Sequence, residues 1–241
     1  MQDALLLKTH HFENGDFFMT AKLYIQAFTK FFLGVILVGL LIFLPAGTLS
    51  FFGGLLLMGV LFIPMLIGGI LLMIKNPALL EKRLNAKEKL KEQDLVIKMS
   101  GLMFLCGFIV AGLGIRFGWY VLPRGASIGG AIALLIAYAL YAEVLRENTY
   151  LSRTIEVQED QKVIDTGLYG IVRHPMYSIT LLLFISMPIV LGSLYALPVF
   201  LLYPFIIAKR IRSEEAFLEK ELCGYTEYKK RVKYRLIPFV W

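Results

Sequence analysis

Charged residues are scarce in this chain of 241 residues: they make up 18% of it, against about a quarter in soluble globular proteins. Hydrophobic residues make up 58%. A chain of this length can form one domain, but one so apolar and so poor in charge is not water-soluble. Together with its long apolar stretches, this composition predicts an all-α integral membrane protein.

Cysteine and histidine are also scarce, with two and three residues. Cys106 lies inside an apolar stretch and Cys223 near the end of a predicted helix, so the sequence gives no basis for a disulfide framework. The spacing of the cysteines indicates no metal site. The first 30 residues lack a convincing basic segment and cleavage site, so we expect the first apolar stretch to be a retained span.

Six apolar stretches predict about six transmembrane helices. Several are near the short end of what crosses about 30 Å of hydrocarbon, so tilting or local thinning of the bilayer is expected. Glycines in the first two, Gly53 and Gly59 among them, should permit close helix packing. Gly192 and Ser193 leave room only for a tight turn between the last two. The stretches cover residues 31–44, 51–74, 99–115, 128–145, 176–191 and 194–208.

The basic residues are distributed unequally between the two sets of connecting segments. Of 25 Lys and Arg residues, only Arg116 and Arg124 fall in the segments that an even number of crossings places opposite the termini. The positive-inside rule therefore predicts that both termini face the cytoplasm. The net charge of +7 follows from this topology and needs no nucleic-acid partner, although the same face should attract anionic lipid headgroups.

The chain divides into three parts by composition. Residues 1–30 form a cytoplasmic or interfacial segment, which we expect to be a short helix on the membrane surface or a flexible tail. Residues 31–145 hold the first four spans. Within them, residues 75–98 begin near Asn-Pro and mix leucines with many charges, which predicts an amphipathic interfacial helix or a solvated charged linker. Residues 146–241 carry two polar clusters.

The first cluster, Arg173-His-Pro-Met-Tyr177, stands at the mouth of the fifth apolar stretch. Pro175 is placed to open that helix, because a proline in the first helical position sacrifices no backbone hydrogen bond. His174 would then lie at the helix N-terminus, which favours a negatively charged or electron-rich ligand group, and Tyr169 and Tyr177 could hold a flat aromatic or cationic ligand. In the alternative interpretation, Arg173 binds lipid phosphate, His174 caps the helix and the tyrosines form an interfacial belt. The density of ionisable groups so close to the bilayer favours the ligand site.

The second cluster lies on a predicted amphipathic helix at about residues 209–223. Its apolar stripe is formed by Ile211, Leu218 and Leu222. Glu215 falls on the same stripe, where a carboxylate must find a cation or several donors, or else take up a proton. We therefore expect Glu215 to be the ligand-binding acid, with a structural ion pair as the alternative. Glu214 is expected to be structural, near Arg210 one turn back, and Glu215→Gln should weaken ligand binding more than Glu214→Gln.

The segments beside these clusters have plainer predicted roles. Glu143, Arg146 and Glu147 have the spacings of local ion pairs at the end of the fourth span. Residues 149–165 are polar and predict an ordered loop that can fold over a ligand. The basic, aromatic tail at residues 225–235 is typical of a segment that faces lipid headgroups.

These residues together resemble the isoprenylcysteine carboxyl methyltransferase family, in its bacterial branch, and the related phospholipid methyltransferases. The resemblance covers residues 148–238 and rests on the combined motif, since Arg-His-Pro alone is not specific. It implies a membrane-embedded methyltransferase of the bacterial plasma membrane, with S-adenosylmethionine as the cofactor from the cytoplasm and a lipophilic acceptor from the bilayer. The matching features are Gly167-Leu-Tyr-Gly-Ile-Val-Arg-His-Pro-Met-Tyr177, an apolar hairpin, Glu214-Glu215, Gly224-Tyr-Thr-Glu-Tyr-Lys-Lys-Arg-Val232 and Ile237-Pro238.

The resemblance also implies roles for individual residues. The family's cofactor contacts correspond to Tyr169, His174, Pro175, Met176, Tyr177 and Glu215 and, across an alignment gap, to Gln158, Gln161, Lys162, Val163 and Ile164. The position of the family's substrate-side arginine holds Ile211, so its neighbours Arg210 and Arg212 become the candidate substrate contacts. Methyl transfer from a sulfonium is an in-line displacement that needs alignment and exclusion of water more than an acid or a base. Arg173, His174 and Glu215 are therefore expected to position the reactants.

Two other classes of function remain open from the sequence. A membrane reductase of the sterol type shares the C-terminal architecture but needs a reduced nicotinamide cofactor. A non-enzymatic scaffold would bind anionic lipid through its basic face and tolerate the loss of His174 and Glu215. Within the methyltransferase hypothesis, the acceptor is a carboxylate or an amine on a lipid or a small lipophilic molecule, and the sequence favours neither.

Overall fold

The computed structural model describes residues 2–84, 91–151 and 157–241, with side chains from residue 21 onward except at 91–93. Within these residues the chain is helical and has no named strands, which confirms the all-α prediction. A 3₁₀ turn covers Gly167–Gly170. The helices are α1 (Gln2–Ala46), α2 (Phe52–Lys75), α3 (Pro77–Leu84), α4 (Lys91–Arg116), α5 (Arg124–Glu147), α6 (Pro175–Val190), α7 (Leu197–Phe200), α8 (Tyr203–Glu221) and α9 (Tyr225–Arg231).

Among the described residues, four helices are long and apolar enough to cross a membrane. The candidate spans are Ala21–Ala46, Phe52–Lys75, Asp94–Arg116 and Arg124–Glu147, and α6 is apolar but shorter. Large hydrophobic side chains cover their outer surfaces: Leu37 of α1 is 57% exposed and Ile63 of α2 is 61% exposed. Such surface suits contact with lipid chains and not with water. The protein is an integral membrane protein, as its composition predicts.

Two predicted boundaries differ from those observed. α1 begins at Gln2, so one unbroken helix runs through the segment expected to be a separate surface helix or a tail. The sixth apolar stretch is not one helix: it forms α7 and the first turns of α8, which begins at Tyr203 and not near residue 209. Pro198 and Pro204 each lie in the first turn of the helix that follows the break, where the missing backbone N–H of proline costs no hydrogen bond. About six predicted spans thus become four long helices and the shorter α6.

The segment between α2 and α4 forms a helix with one buried apolar side, where it is described. Asn76 Oδ1 accepts a hydrogen bond from the backbone N–H of Leu79 at 3.0 Å, which caps the first turn of α3. Leu79 and Leu80 are buried, while Glu81 is exposed. This arrangement agrees with the amphipathic helix predicted at residues 75–98 only over α3, because residues 91–98 form the start of α4. Residues 85–90 lie outside the described part of the chain.

α5 and α6 run antiparallel and define the two ends of the bundle. At one end Leu122 N donates a hydrogen bond to Gly192 O at 2.8 Å, in the expected tight turn after α6. At the other end, Glu147 of α5 reaches the 3₁₀ turn that precedes Pro175 of α6. This second end carries most of the basic residues, and we call it the basic end.

Close backbone packing occurs at only some of the glycines expected to permit it. A Cβ atom added at Gly53 of α2 would lie 2.7 Å from Leu191 O, at the end of α6. A Cβ atom at Gly59 would meet no described atom within 4 Å. Gly53 therefore permits the contact between the first hairpin and α6, whereas Gly59 faces open space.

Candidate active site

A cleft opens at the basic end, between α6, α8, α9 and the loop after α5. It contains about 850 Å³ of space, with the open solvent at its mouth included. Its walls belong to two apolar clusters, one around Tyr169 and Met176 and the other around Leu218 and Tyr225. The complete lining is Asn148, Tyr150, Leu151, Gln161, Lys162, Val163, Ile164, Tyr169, Arg173, His174, Pro175, Met176, Tyr177, Arg210, Glu214, Leu218, Leu222, Tyr225 and Tyr228.

Glu215 is the centre of a buried ion-pair network beside this cleft. Its Oε1 accepts a hydrogen bond from Arg173 Nε at 2.7 Å, its Oε2 accepts one from Arg235 Nε at 2.9 Å, and His174 Nε2 lies 3.3 Å from Oε1. Glu215 is 2% exposed. Burial by itself raises the pKa of this carboxyl, but the hydrogen bonds from His174, Arg173 and Arg235 outweigh burial and hold the pKa well below its usual range. Glu215 is therefore ionised in the folded protein and fixed by several donors.

Glu215 is not among the residues that line the cleft, and its role as the ligand-binding acid stays a prediction. The helical period correctly predicts that Glu215 lies on the buried side of α8, since Ile207, Ile211 and Glu215 form its buried stripe. That stripe faces the protein interior, where Arg173 and Arg235 supply the cations. These partners are 42 and 20 residues away in sequence, so no local pattern connects them to position 215. The geometry is the structural ion pair that the sequence left as the alternative.

Glu214, expected to be structural, lines the cleft. Its Oε2 accepts a hydrogen bond from the Tyr177 hydroxyl at 2.5 Å, and Arg210 Nε donates to the same hydroxyl oxygen at 2.9 Å. A carboxylate, a phenol and a guanidinium thus meet near the start of α6. Arg210 lines the cleft, whereas Arg212 is exposed and is not part of the lining. Of the two arginines proposed as substrate contacts, Arg210 is the one that the fold places at the site.

The carboxy-terminal segment holds the Arg-His-Pro motif in place through hydrogen bonds to its backbone. Arg173 N donates to Tyr234 O at 2.9 Å, and His174 N donates to Arg235 O at 3.0 Å. The Arg173 guanidinium donates to two further carbonyl oxygens of the same segment at 2.7 and 2.8 Å. α6 begins at Pro175, as predicted. Because Arg173 is 6% exposed and bonded within the protein, the alternative in which it binds lipid phosphate is disfavoured.

The end of α5 fixes the 3₁₀ turn before the motif. Glu147 Oε2 accepts a hydrogen bond from Leu168 N at 3.2 Å. A Cβ atom at Gly167, whose φ is +48°, would lie 1.7 Å from Glu147 Oε1, so glycine is required there. The predicted local ion pair forms between Glu143 and Arg146, with an N–O distance of 2.6 Å.

Tyr169 is held by two hydrogen bonds from residues that also line the cleft. Asn148 Nδ2 donates to its hydroxyl at 3.0 Å, and the Tyr228 hydroxyl donates to its carbonyl oxygen at 2.8 Å. Burial raises the pKa of Tyr169, so the phenol stays neutral at physiological pH. This neutral ring forms part of the wall, as expected of a residue that faces a flat ligand.

The loop after α5 reaches the cleft with four of the five residues predicted from it. The lining includes Gln161, Lys162, Val163 and Ile164. Gln158 instead holds the loop: its Nε2 donates to Tyr150 O at 2.6 Å, and its Oε1 accepts from Lys82 Nζ at 2.5 Å. Residues 152–156 of this loop lie outside the described residues.

Helix α3 packs beside the site, although none of its residues is part of the cleft lining. Besides the contact of Lys82 with the loop, Arg83 Nη1 lies 3.9 Å from the sulfur of Met176. The Arg83 guanidinium stands 5.4 Å from the centre of the Tyr141 ring, within range of a cation–π contact. α3 therefore packs on both the loop and the start of α6.

The tail expected to face lipid headgroups packs its tyrosines against the cleft, while Lys230 and Arg231 of the same segment are exposed. Tyr225 and Tyr228 of α9 are 4% and 2% exposed and line the cleft. They pack with Leu218, Leu222 and Val232. Spacings of three and four residues join these positions across the turn at Gly224, whose φ is +84°. That continuing apolar stripe is the sequence signal that could have identified α9 as part of the site.

Two comparisons with known proteins found similarity, and the family match covers this part of the chain. Over 91 residues, the chain is 32% identical to Delta(14)-sterol reductase TM7SF2 of Mus musculus, and the aligned part covers 36% of this chain and 22% of that protein. Residues 126–222 match the model of the phospholipid methyltransferase family (PEMT). The matched residues include α5, the Arg-His-Pro motif, α6 and α8, and the match supports a membrane methyltransferase.

Proposed function

We propose that this protein is a methyltransferase that uses S-adenosylmethionine to methylate a lipophilic acceptor at the cytoplasmic face of the membrane. The observation that carries this proposal is the cleft at the basic end. Its lining unites Tyr169, the start of α6 and the loop after α5, which are the parts that resemble a methyltransferase cofactor site. The family match over residues 126–222 supports the same class of reaction. The basic end is the proposed cytoplasmic end, because it carries most of the Lys and Arg residues.

The residues of the cleft fit the chemistry of this cofactor. S-Adenosylmethionine carries an ammonium and a carboxylate at one end and a flat purine at the other. Glu214 offers a carboxylate to the ammonium, and the N-terminus of α6 beside His174 suits the carboxylate. The two apolar walls, with Tyr169 and Tyr225, offer aromatic surface to the purine. Arg210, which also lines the cleft, is the candidate contact for a carboxylate acceptor.

The chain's own residues contribute positioning and exclusion of water. When bound, the cofactor supplies an electrophilic methyl group on a sulfonium. The methyl carbon would pass to an oxygen or nitrogen of the acceptor, and the electron pair of the broken sulfur–methyl bond would stay on the sulfur. An amine acceptor then releases a proton, and a carboxylate acceptor releases none. The Glu215 network fixes Arg173 and His174, and with them the start of α6, so that the cleft keeps one geometry.

Calorimetric titration of the detergent-purified protein with S-adenosylhomocysteine tests the proposal. We expect micromolar binding to the wild type. Glu214→Gln should weaken binding by about 10- to 100-fold, because it removes a charge-assisted hydrogen bond to the ligand. Glu219→Gln is the matched control, since this acid lies on the same helix and pairs with Lys229 outside the cleft. A folded wild-type protein that binds no S-adenosylhomocysteine would rule the proposal out.

A second candidate, a membrane reductase with a nicotinamide cofactor, follows from the similarity to a sterol reductase. The same purified protein can be titrated with NADPH. Binding of NADPH without binding of S-adenosylhomocysteine would favour the reductase. Binding of S-adenosylhomocysteine alone would favour the methyltransferase.

A further inference from the structure

Tyr225 lies in the wall of the cleft with a hydroxyl group that the described protein does not use. Its side chain is 4% exposed. Among the described residues, its Oη is a buried side-chain atom without a hydrogen-bond partner. A buried hydroxyl that is left unpaired is unfavourable, so such groups are rare in folded proteins and call for an explanation. Val163 and Leu218, which pack in the same cluster, have no polar side-chain atom to offer it.

Tyr228 provides a direct contrast on the same short helix. It is 2% exposed, and its hydroxyl donates to Tyr169 O at 2.8 Å. The two ring centres are 5.7 Å apart, so both phenols share one environment. They differ in that the hydroxyl of Tyr228 is bonded within the protein, whereas the hydroxyl of Tyr225 has no partner among the described residues. Burial on α9 therefore does not by itself explain the unpaired hydroxyl of Tyr225.

The charges near Tyr225 favour a hydroxyl that donates. Burial, followed by the nearby carboxylates of Glu215 and Glu214, raises the pKa of this phenol above its ordinary value, and Arg173 opposes the shift more weakly. The phenol therefore keeps its proton at physiological pH. A neutral buried phenol that carries its proton can donate to an acceptor atom placed in the cleft.

We propose that Tyr225 is a ligand-binding residue, whose hydroxyl donates a hydrogen bond to an acceptor atom of the S-adenosyl cofactor. This inference rests on the proposed function and deepens it, because it assigns a specific contact to the hydroxyl of Tyr225. Binding of the cofactor then gives the buried hydroxyl its missing partner. The hydroxyl contributes to affinity for the ligand and not to the stability of the ligand-free protein.

A pair of Tyr→Phe variants tests this division, because each removes a single oxygen atom. For Tyr225→Phe, we expect the melting temperature without ligand to equal or exceed that of the wild type. Its dissociation constant for S-adenosylhomocysteine should rise by about 3- to 10-fold in calorimetry. For Tyr228→Phe, the melting temperature should fall by roughly 2–4 °C, because a hydrogen bond within the protein is lost.

Three outcomes would overturn the inference, and they are distinguishable. A ligand-free Tyr225→Phe protein that melts as low as Tyr228→Phe would show that the hydroxyl has a partner within the protein. Unchanged affinity of Tyr225→Phe, with a wild type that binds, would reject this role of Tyr225 and leave the proposed function intact. A folded wild type that binds no S-adenosylhomocysteine would reject both.

Discussion

The α1–α2 hairpin and the carboxy-terminal residues 167–241 differ in the side chains that they expose and bury. The hairpin presents large apolar side chains outward: Leu40 is 55% exposed and Ile67 is 54% exposed. The carboxy-terminal part buries a carboxylate among two arginines and a histidine. Contact with lipid chains needs only apolar surface of suitable shape, whereas a buried charge needs each of its partners. Sensitivity to substitution should therefore be concentrated in the carboxy-terminal part.

The largest expected effect is the loss of the charge at the centre of that part. Glu215→Gln leaves the buried Arg173 without its counter-charge and should lower the free energy of unfolding by about 3–5 kcal/mol. Chemical denaturation in detergent measures the change. Glu219→Gln, on the same helix and paired with Lys229 in a more exposed setting, should cost less than about 1 kcal/mol. Equal losses in the two variants would contradict a special role for the buried network.

The hairpin should be sensitive where it touches α6 and tolerant elsewhere. Gly53→Ala places a Cβ atom 2.7 Å from a backbone oxygen of Leu191, and the forced displacement should cost about 1–3 kcal/mol. Gly59→Ala on the same helix meets open space and should be neutral or stabilising, because alanine favours the helix. Thermal unfolding of the two variants measures the difference. Equal effects would mean that the backbone contact does not limit packing.

The stability contributed by Glu215 should depend on pH. Its pKa is lower in the folded protein than the ordinary value of 4.5, so below pH 4.5 the unfolded chain binds a proton that the folded protein does not. Stability should therefore be fully present above that value and fall as the pH falls below it. Unfolding measured from pH 7 down to pH 3 in wild type and Glu215→Gln isolates this contribution. If the two curves stay parallel throughout, the network is not the source.

The smallest expected changes in the free energy of unfolding are those at two isoleucines of α1. Ile42 is fully buried, and Ile42→Val should cost about 0.5–1.5 kcal/mol through the small cavity that it leaves. Ile36 is 58% exposed on the outer surface, so Ile36→Val should change the free energy of unfolding by less than about 0.5 kcal/mol. Chemical denaturation in detergent resolves the two cases. A larger loss at Ile36 would indicate that this face packs against protein and not against lipid.

Much of the site could be predicted because its chemistry is local. Proline geometry places the start of α6 at Pro175, and the helical period places Glu215 on the buried side of α8. Most of the loop residues proposed for the cofactor do line the cleft. The roles of Glu214 and Glu215 could not be assigned from the sequence. The helical period indicates the face of α8 on which each side chain lies, but it does not identify the residues or the ligand that the side chain contacts.

The amino-acid sequence by itself determined that this is a helical membrane protein, where α2, α4 and α5 lie, and where polar chemistry is concentrated. These properties follow from apolar length, periodicity and proline, which act over a few residues. Tertiary structure alone decided that Arg235 completes the Glu215 network, that α9 forms a wall of the cleft and that the sixth stretch breaks into α7 and α8. Those features depend on contacts between residues that are distant in the sequence. Such contacts are determined by tertiary packing, and local sequence patterns do not predict them.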